Sequence, residues 1–504
     1  MSSTVFGPPV SPAFIIAIFD FVVNFWSWIW PILAGFGGLF LLIVATGHVI
    51  LNKRETSAAV GWIGVMWLAP FIGPFLYLLL GINRIHRRAG RLPGPNLSLD
   101  LASSPHLCRM ADLRQILPPD KTHLGDLAEM ANNLLSRPLL AGNVFRPLQR
   151  GDEAYPAMLE AIEQATSSLT LTSYIFANDA AGRRFLAAID RAHQRGVKVR
   201  ILIDAVGARY SFPTILPRLR RLGIPYARFM PSLFPWQMPY LNLRSHRKIM
   251  VVDGLRGFTG GMNIAAGNVH ANQPAHLIND IHFAVEGPIV NSLQNAFTED
   301  WLFVTGEKLE GEPWFRPNPA CGQVVARGIT DGPDDNYDRL RMLMLGAISL
   351  ARSSVRICTP YFLPDNTLIS ALNAAVLRGV QVDILIPDQN NLTIVDWASQ
   401  SHLQDLVRYG CRIWRTAPPF DHSKMMIVDG YWSLIGSANW DPRSLNLNFE
   451  FNVECYSRAL ADQLITLFER KRTGARMVTI REVLDRPLLF RLRDGLARLF
   501  TPYL

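Results

Sequence analysis

The chain is 504 residues long, room for two or three compact units each with its own core, which excludes a single small module. Hydrophobic residues make up 49% of it, with the excess near the N-terminus, and the net charge of +9 is carried mainly by arginine, so an anionic partner is expected: nucleic acid or the face of an acidic membrane. The five cysteines (Cys108, Cys321, Cys358, Cys411, Cys455) are scattered, with no CxxC and no histidine at ligand spacing, which argues against a disulfide framework or a zinc site and for a reduced, cytoplasmic catalytic part.

Residues 1–92 read as a membrane anchor. No charged residue occurs from Phe21 to Asn52 or from Thr56 to Asn83, and each run exceeds the roughly 20 residues needed to cross the hydrocarbon core as a helix. Spans are expected near 32–51 and 58–80, joined by a tight turn at Lys53-Arg54-Glu55 into an antiparallel hairpin, with Pro70 and Pro74 kinking the second. Phe14, Phe19, Phe21, Phe25, Trp26, Trp28 and Trp30, interrupted by Asp20 and Asn24, read as an interfacial aromatic belt, with a further span over 10–30 as the alternative. The chain opens without a positively charged run, so its apolar end reads as a retained anchor rather than a cleaved signal. Arg84, Arg87, Arg88 and Arg91 follow the second span, against Lys53 and Arg54 in the turn, a bias that puts the bulk of the protein on the cytoplasmic side.

A Pro/Gly/Ser-rich connector from Arg91 to about Pro105 opens an expected linker over 93–140. Two halves of one plan follow, 141–310 and 311–480. In the first, an apolar run from Leu169 to Phe176 precedes a helical pattern (Gly182 to Arg195) and the strand Arg195-Gly-Val-Lys-Val-Arg-Ile-Leu-Ile-Asp204. In the second, Val355 to Phe362 precedes Leu368 to Arg378 and the strand Arg378-Gly-Val-Gln-Val-Asp-Ile-Leu-Ile-Pro387. The fold class is therefore α/β, two similar units each built strand, helix, strand and motif strand. Residues 481–504 form a tail in which Leu484, Leu488, Leu492, Leu496 and Leu499 recur at helical spacing between arginines. That pattern suits an amphipathic helix lying on a membrane surface or one docked on the protein's own core.

Each half carries one copy of a motif. The first reads HRKIMVVDGLRGFTGGMN and the second HSKMMIVDGYWSLIGSAN, so His246, Lys248, Asp253 and Asn263 are matched by His422, Lys424, Asp429 and Asn439. With only seven lysines in the chain, two such frames do not arise by accident. Histidine and lysine two apart on a strand point the same way. If the halves face each other about a pseudo-twofold axis, the four groups meet around one pocket. One neutral imidazole can then attack a phosphorus atom and a second, protonated, can donate to the leaving group. The lysines and the amides of Asn263 and Asn439 suit an oxyanion, so no metal or other cofactor is required.

The two imidazoles need carboxylates to fix their tautomers. Asp280 in NDIHFAVE and Glu450 in NFEFNVE stand in equivalent places, each expected to serve the histidine of its own copy, with Asp280 six residues further from its histidine than Glu450 is. Asp253 and Asp429, at strand ends before a glycine, are candidates for direct chemistry or for bracing the turn. Gly261 stands where the second copy has Ser437, so one motif lacks a hydroxyl that could steady its carboxylate. His270, His276 and His282 lack acidic or cysteine partners at ligand spacing and read as a loop lining a second substrate rather than a metal cluster. Tyr174 and Tyr361 either line the pocket or pack beneath it.

The paired HxKx4Dx6G(G/S)xN frame resembles the signature of the phospholipase D superfamily. Within it the apolar start followed by INRIHRR, then TPYFLPD, GSANWDPRSLNLNFEFNVE and the terminal RPLLFRLRDGLARLFTPYL, are similar to bacterial cardiolipin synthases with two N-terminal membrane helices. The resemblance implies two phospholipase D-like repeats packed face to face behind a transmembrane hairpin in the inner membrane. It implies phosphatidylglycerol and an anionic membrane as partners, and transfer of a phosphatidyl group from one phosphatidylglycerol to another through a phosphatidyl-histidine on His246. His422 would protonate the departing glycerol; the copies are near-symmetric, and the reverse assignment stays open. A hydrolase, or a transferase with another alcohol as acceptor, shares every catalytic residue. A nuclease shares the histidines and the basic charge but has no use for the apolar start, so nucleic acid is not an expected partner.

Overall fold

The computed structural model describes residues 12–53, 56–81, 104–230, 243–274, 276–333, 338–499 and 501. The connector through Ser103, the Arg54-Glu55 turn and the arginines behind the orientation expectation (Arg84, Arg87, Arg88, Arg91) lie outside them. The chain divides into an N-terminal unit and a larger body.

In the N-terminal unit one helix runs unbroken over Pro12–Asn52, with Pro31 inside it. The aromatic stretch is therefore the first half of the helix that also contains the expected first span, and Phe19–Asn52 is long and apolar enough to cross a membrane. The expected second span is interrupted. Helix Thr56–Leu68 ends before Pro70, whose ring cannot continue the hydrogen-bond ladder, and a short helix Ile72–Leu76 and a wider turn at Tyr77–Gly81 follow. These pieces fold back on the long helix: Leu42, Ala45, Val49, Met66 and Tyr77 form a small core, and the Tyr77 hydroxyl lies 2.7 Å from His48 Nδ1.

The first repeat of the body contains β1 (Leu140–Gln149), β2 (Ser168–Ser173), β3 (Lys198–Asp204), β4 (Tyr226–Phe229), β5 (Arg244–Ser245), β6 (Ile249–Val252), β7 (Arg256–Gly260), β8 (Ile278–Asn279) and β9 (Ile281–Glu286). The second contains β10 (Val324–Asp331), β11 (Ser354–Cys358), β12 (Gln381–Pro387), β13 (Arg412–Thr416), β14 (Phe420–Asp421), β15 (Met425–Val428), β16 (Trp432–Gly436), β17 (Asn448–Tyr456) and β18 (Ala475–Met477). The order β4-β3-β2-β6-β7-β9-β1 in the first repeats as β13-β12-β11-β15-β16-β17-β10 in the second, with β18 added at the edge. Strand directions match pair for pair: β2, β3 and β4 are parallel, as are β11, β12 and β13, and β6 and β15 run antiparallel to their neighbours. The halves are joined at β1, which pairs with β10 through Leu140 and Asn143 and with β9 from Val144 onward.

The apolar motif strands are explained by burial on both faces. Ile249 and Val251 point to a central cluster shared by the two repeats, while Met250 and Val252 point to an outer layer of helices. In the second repeat Met425 and Ile427 face the centre, and Met426 and Val428 face outward. The central cluster also takes one face of helices Val290–Thr305 and Arg458–Thr473, so the two sheets face each other across a shared core.

The expected linker is not one over its described part. Helices Met110–Ile116 and His123–Leu134 set Leu113, Leu117, Leu124, Leu127, Ala128 and Ala131 into the second repeat's outer core beside Leu340 and Met344. Their apolar residues recur at helical spacing, which the composition of the preceding connector obscures.

Candidate active site

Two short strand pairs cross between the repeats. β5 runs parallel to the start of β17, Arg244 opposite Asn448 and Ser245 opposite Phe449, and the next residue, His246, donates its backbone N–H to Phe449 O at 2.9 Å. The symmetry-related pair is β14 with β8, after which the His422 N–H donates to Asn279 O at 2.7 Å. Each motif histidine is thus delivered to the strand of the opposite repeat, one residue before that strand's carboxylate.

The consequence corrects the pairing expected from the sequence. His246 Nδ1 meets Glu450, at 2.9 and 3.0 Å from its two oxygens, and His422 Nδ1 lies 2.7 Å from Asp280 Oδ2. Neither carboxylate serves the histidine of its own copy, because the strands bearing them cross the interface. With Nδ1 engaged, Nε2 is the nitrogen each ring has available for chemistry.

The two carboxylates are held differently. Glu450 also accepts from Ser437 Oγ at 2.5 Å and Asn448 Nδ2 at 3.2 Å, whereas Asp280 accepts from the Ile281 N–H at 2.8 Å. A Cβ on Gly261 would lie 2.4 Å from Asp280 Oδ1, so a side chain there would push the carboxylate from its place. Burial pushes the Glu450 carboxyl up, but the charges of His246 and Lys248 and the Ser437 hydrogen bond outweigh it and hold it at about 2. Burial lowers both imidazoles: His246 is drawn down despite Glu450, and His422, which also faces the Lys424 ammonium, is drawn to about 4.

Lys248 and Lys424 are buried beside their histidines, each ammonium donating to the backbone oxygen of the histidine two residues earlier, at 2.6 and 2.5 Å. Lys424 Nζ also lies 2.9 Å from His422 Nδ1. Burial is the largest influence on both lysines and brings them to about 7 and about 8. Tyr174 and Tyr361 stand edge-on to His246 and His422, with ring centroids 5.3 and 6.3 Å apart, so both tyrosines wall the site. Asn263 Oδ1 accepts from the Ile175 N–H at 3.1 Å, tying the loop after β2 to its motif, while Asn439 is buried with a side-chain oxygen that has no protein partner.

Asp253 and Asp429 turn away from the histidines. Asp253 accepts the backbone N–H groups of Thr166, Ser167 and Ser168 and the hydroxyls of Thr166 and Ser167. Asp429 accepts the N–H groups of Arg352, Ser353 and Ser354. Both sit at positive φ before a glycine, a backbone state that aspartate tolerates. Of the two roles open in the sequence, the geometry favours bracing. The second brace also takes His123 Nε2 at 2.6 Å, a partner from the helical segment before the repeats that the motif gives no hint of.

The three histidines after the first motif separate: His270 Nε2 bonds Ile278 O at 3.0 Å, His276 is exposed and His282 is buried in β9. Among the described residues no three His, Cys, Asp or Glu side chains gather to hold a metal ion. Sequence reasoning missed Arg244, Phe420 and Arg443, which have no counterpart in the other copy; position-by-position comparison of the copies is the signal that finds them.

Two half-sites closed into one, with a crossed carboxylate on each histidine, define the two-histidine class of phosphodiester-bond enzymes with the phospholipase D fold. The model of that fold described as "Cardiolipin synthase, PLD-like domain" matches residues 158–301 and 344–472, and a phospholipase D-nuclease N-terminal model matches 40–81. A cardiolipin synthase of Geobacillus sp. (strain WCH70) is 32% identical over 93% of this chain and 94% of its own length. Cardiolipin synthase A of Pseudomonas entomophila (strain L48) is 32% identical over 92% and 96%. A solved phosphatidylserine synthase from Haemophilus influenzae Rd KW20 shares the fold, with TM-score 0.57 and 18% identity over 75% of this chain and all of that one. The chain belongs to the cardiolipin synthase family, enzymes with paired phospholipase D-like domains.

Proposed function

We propose that this protein condenses two molecules of phosphatidylglycerol into cardiolipin and glycerol at the junction of its two domains, 141–310 and 311–480. The crossed carboxylate pairs carry the reading, because they fix both imidazoles with Nε2 available and make neither half-site complete without the other. His246 is the nucleophile. Its ring rests on a carboxylate that both Ser437 and Asn448 hold, whereas His422 shares its Nδ1 side with an ammonium.

Burial draws both imidazoles below their ordinary value and so favours the neutral form, which suits attack by His246. Entry of the phosphodiester brings a negative charge that draws the lysines and His422 back toward their protonated forms. His246 Nε2 then forms a bond to phosphorus, the P–O bond to glycerol breaks, and the proton on His422 goes to the glycerol oxygen. In the second half-reaction His422 takes the proton of the incoming phosphatidylglycerol hydroxyl, whose oxygen displaces His246. Lys248, Lys424 and the Asn263 and Asn439 amides stabilise the charge that builds on the non-bridging oxygens.

The membrane reading rests on two features. Helix Pro12–Asn52 and the broken apolar segment 56–81 would cross the inner membrane as a pair, with the body in the cytoplasm. At the other end, helix Leu488–Leu499 buries Asp494 and Ala497 against the body and leaves Leu488, Leu489, Leu492, Leu496 and Leu499 exposed, a leucine face suited to lie in the lipid headgroup layer.

The test is purified protein in phosphatidylglycerol vesicles with the lipid labelled. Cardiolipin and glycerol in equal amounts are expected; phosphatidic acid alone would make the protein a hydrolase. A covalent lipid adduct that persists in His422→Ala and is lost in His246→Ala is expected, and the opposite pattern would reverse the two roles.

A further inference from the structure

The residues duplicated between the repeats (His246 and His422, Lys248 and Lys424, Asn263 and Asn439, Glu450 and Asp280, Tyr174 and Tyr361) account for one phosphate. The proposed reaction involves two, since the acceptor lipid brings its own phosphodiester. What is not duplicated therefore bears on the acceptor.

Two arginines beside the site have no counterpart. Two residues before His246 stands Arg244; two before His422 stands Phe420, whose ring lies 5.9 Å from His422 and 6.2 Å from Tyr361. Four residues after Asn439 stands Arg443; four after Asn263 stands Gly267. The fold brings the two arginines together from opposite repeats. Arg244 faces Asn448 across the β5–β17 pair, and Arg443 lies on the one-turn helix Pro442–Asn446 that leads into β17, anchored by Asp441 accepting from the Ser444 N–H at 2.7 Å. Arg244 Nη1 donates to Leu243 O at 3.0 Å, and burial first and the charge of Arg244 second weaken Arg443's hold on its proton, with Asp441, Tyr174 and Tyr210 acting the other way. Both are half-buried. They neighbour a ring ladder that leads outward from the nucleophile: His246 to Tyr174 at 5.3 Å, then Tyr174 to the exposed Tyr210 at 5.9 Å. Aromatic rings thus flank both histidines, and the two arginines stand on the His246 side alone.

We infer that Arg244 and Arg443 form a second anion subsite that holds the phosphodiester of the acceptor lipid while its free primary hydroxyl attacks phosphorus. The inference rests on the transfer reaction proposed above. In that step the acceptor O–P bond forms, the P–N bond to His246 breaks and the hydroxyl proton passes to His422; no other reactant is needed. A monoanionic phosphodiester between the two guanidinium groups offsets their mutual repulsion, and guanidinium groups match phosphate oxygens in geometry. A water molecule or a small uncharged alcohol has nothing to offer this subsite, so it favours lipid acceptors over water.

A competition assay tests this without dependence on the first step. Full-length enzyme in phosphatidylglycerol vesicles is given ethanol, and the ratio of cardiolipin to phosphatidylethanol is measured; both products arise from the same adduct, so the rate of adduct formation cancels. In Arg443→Gln and in Arg244→Gln the ratio is expected to fall about tenfold or more, the usual effect of losing a charge-assisted hydrogen bond, with Arg443→Lys intermediate. An unchanged ratio in both glutamine variants, even with lower total turnover, would overturn the subsite. Wild-type enzyme that makes phosphatidylethanol but no cardiolipin would instead overturn the transfer reading itself.

Discussion

Glu450 holds His246 Nδ1 with both carboxylate oxygens, at 2.9 and 3.0 Å, although 204 residues separate the two in the chain. In the proposed reaction the pair would fix the ring's tautomer and offset the charge that develops on it, and His422 with Asp280, 2.7 Å apart, would do the same.

Glu450→Gln should therefore slow adduct formation by about 100-fold or more, the scale seen when a histidine loses its orienting carboxylate. Ser437→Ala removes one hydrogen bond to that carboxylate and should slow it about tenfold. Asp280→Asn acts through the acid instead. A phosphatidyl donor with a p-nitrophenol leaving group, which needs no proton, should restore Asp280→Asn and leave Glu450→Gln slow. Equal recovery of both variants would argue against His246 as nucleophile.

The pH profile follows from the buried lysines. Lys248 and Lys424 are brought to about 7 and about 8, so in free enzyme their positive charge is present below that range and lost as pH rises through it. kcat/KM should decline between pH 7 and 8 on the alkaline side. Because burial draws the nucleophile His246 below the ordinary histidine value of 6.5, loss of its neutral imidazole on the acid side should begin below that value. Bound phosphate raises the lysines, so the alkaline limb of kcat should lie at higher pH than that of kcat/KM. An alkaline limb that stays in place in a Lys424→Arg, Lys248→Arg double variant with measurable activity would assign it to another group.

The motif aspartates should behave as braces. In Asp253→Asn the amide keeps the left-handed backbone but cannot accept all the N–H groups of Thr166, Ser167 and Ser168, at a cost of roughly 2 kcal/mol in stability. Asp429→Asn should lower the melting temperature further, because that carboxylate is fully buried and its loss also strands the His123 ring. Thermal melts paired with turnover per folded enzyme distinguish this from direct chemistry, for which turnover would collapse in a well-folded protein.

The leucine face of helix Leu488–Leu499 should contribute to membrane binding. Leu489→Gln with Leu492→Gln and Leu496→Gln replaces side chains that are 79%, 56% and 61% exposed, so the fold should be kept. Flotation with anionic vesicles should weaken for the body freed from its N-terminal helices by an engineered protease site, while activity on detergent-dispersed lipid should change little. Unchanged flotation would assign the face to another partner.

Much of this protein was legible from spacing alone. The duplicated frame named His246, Lys248, Asn263 and their mates, and the apolar motif strands were recognisable because a strand buried on both faces has no polar alternation. The broken second apolar segment was foreshadowed by Pro70. The helices at Met110–Ile116 and His123–Leu134 were not, since the polar connector before them masks their apolar stripe. Arg244 and Arg443 were passed over because attention to the repeat favours what the copies share.

The sequence by itself determined which side chains are present in pairs and where the long apolar segments lie. Only the tertiary structure decided partnership. The pairing of Glu450 with His246 and of Asp280 with His422 depends on β5 meeting β17 and β14 meeting β8 across the interface between repeats. Spacing within each copy suggests the within-copy pairing, whereas the crossed one is set by backbone hydrogen bonds between strands far apart in the chain.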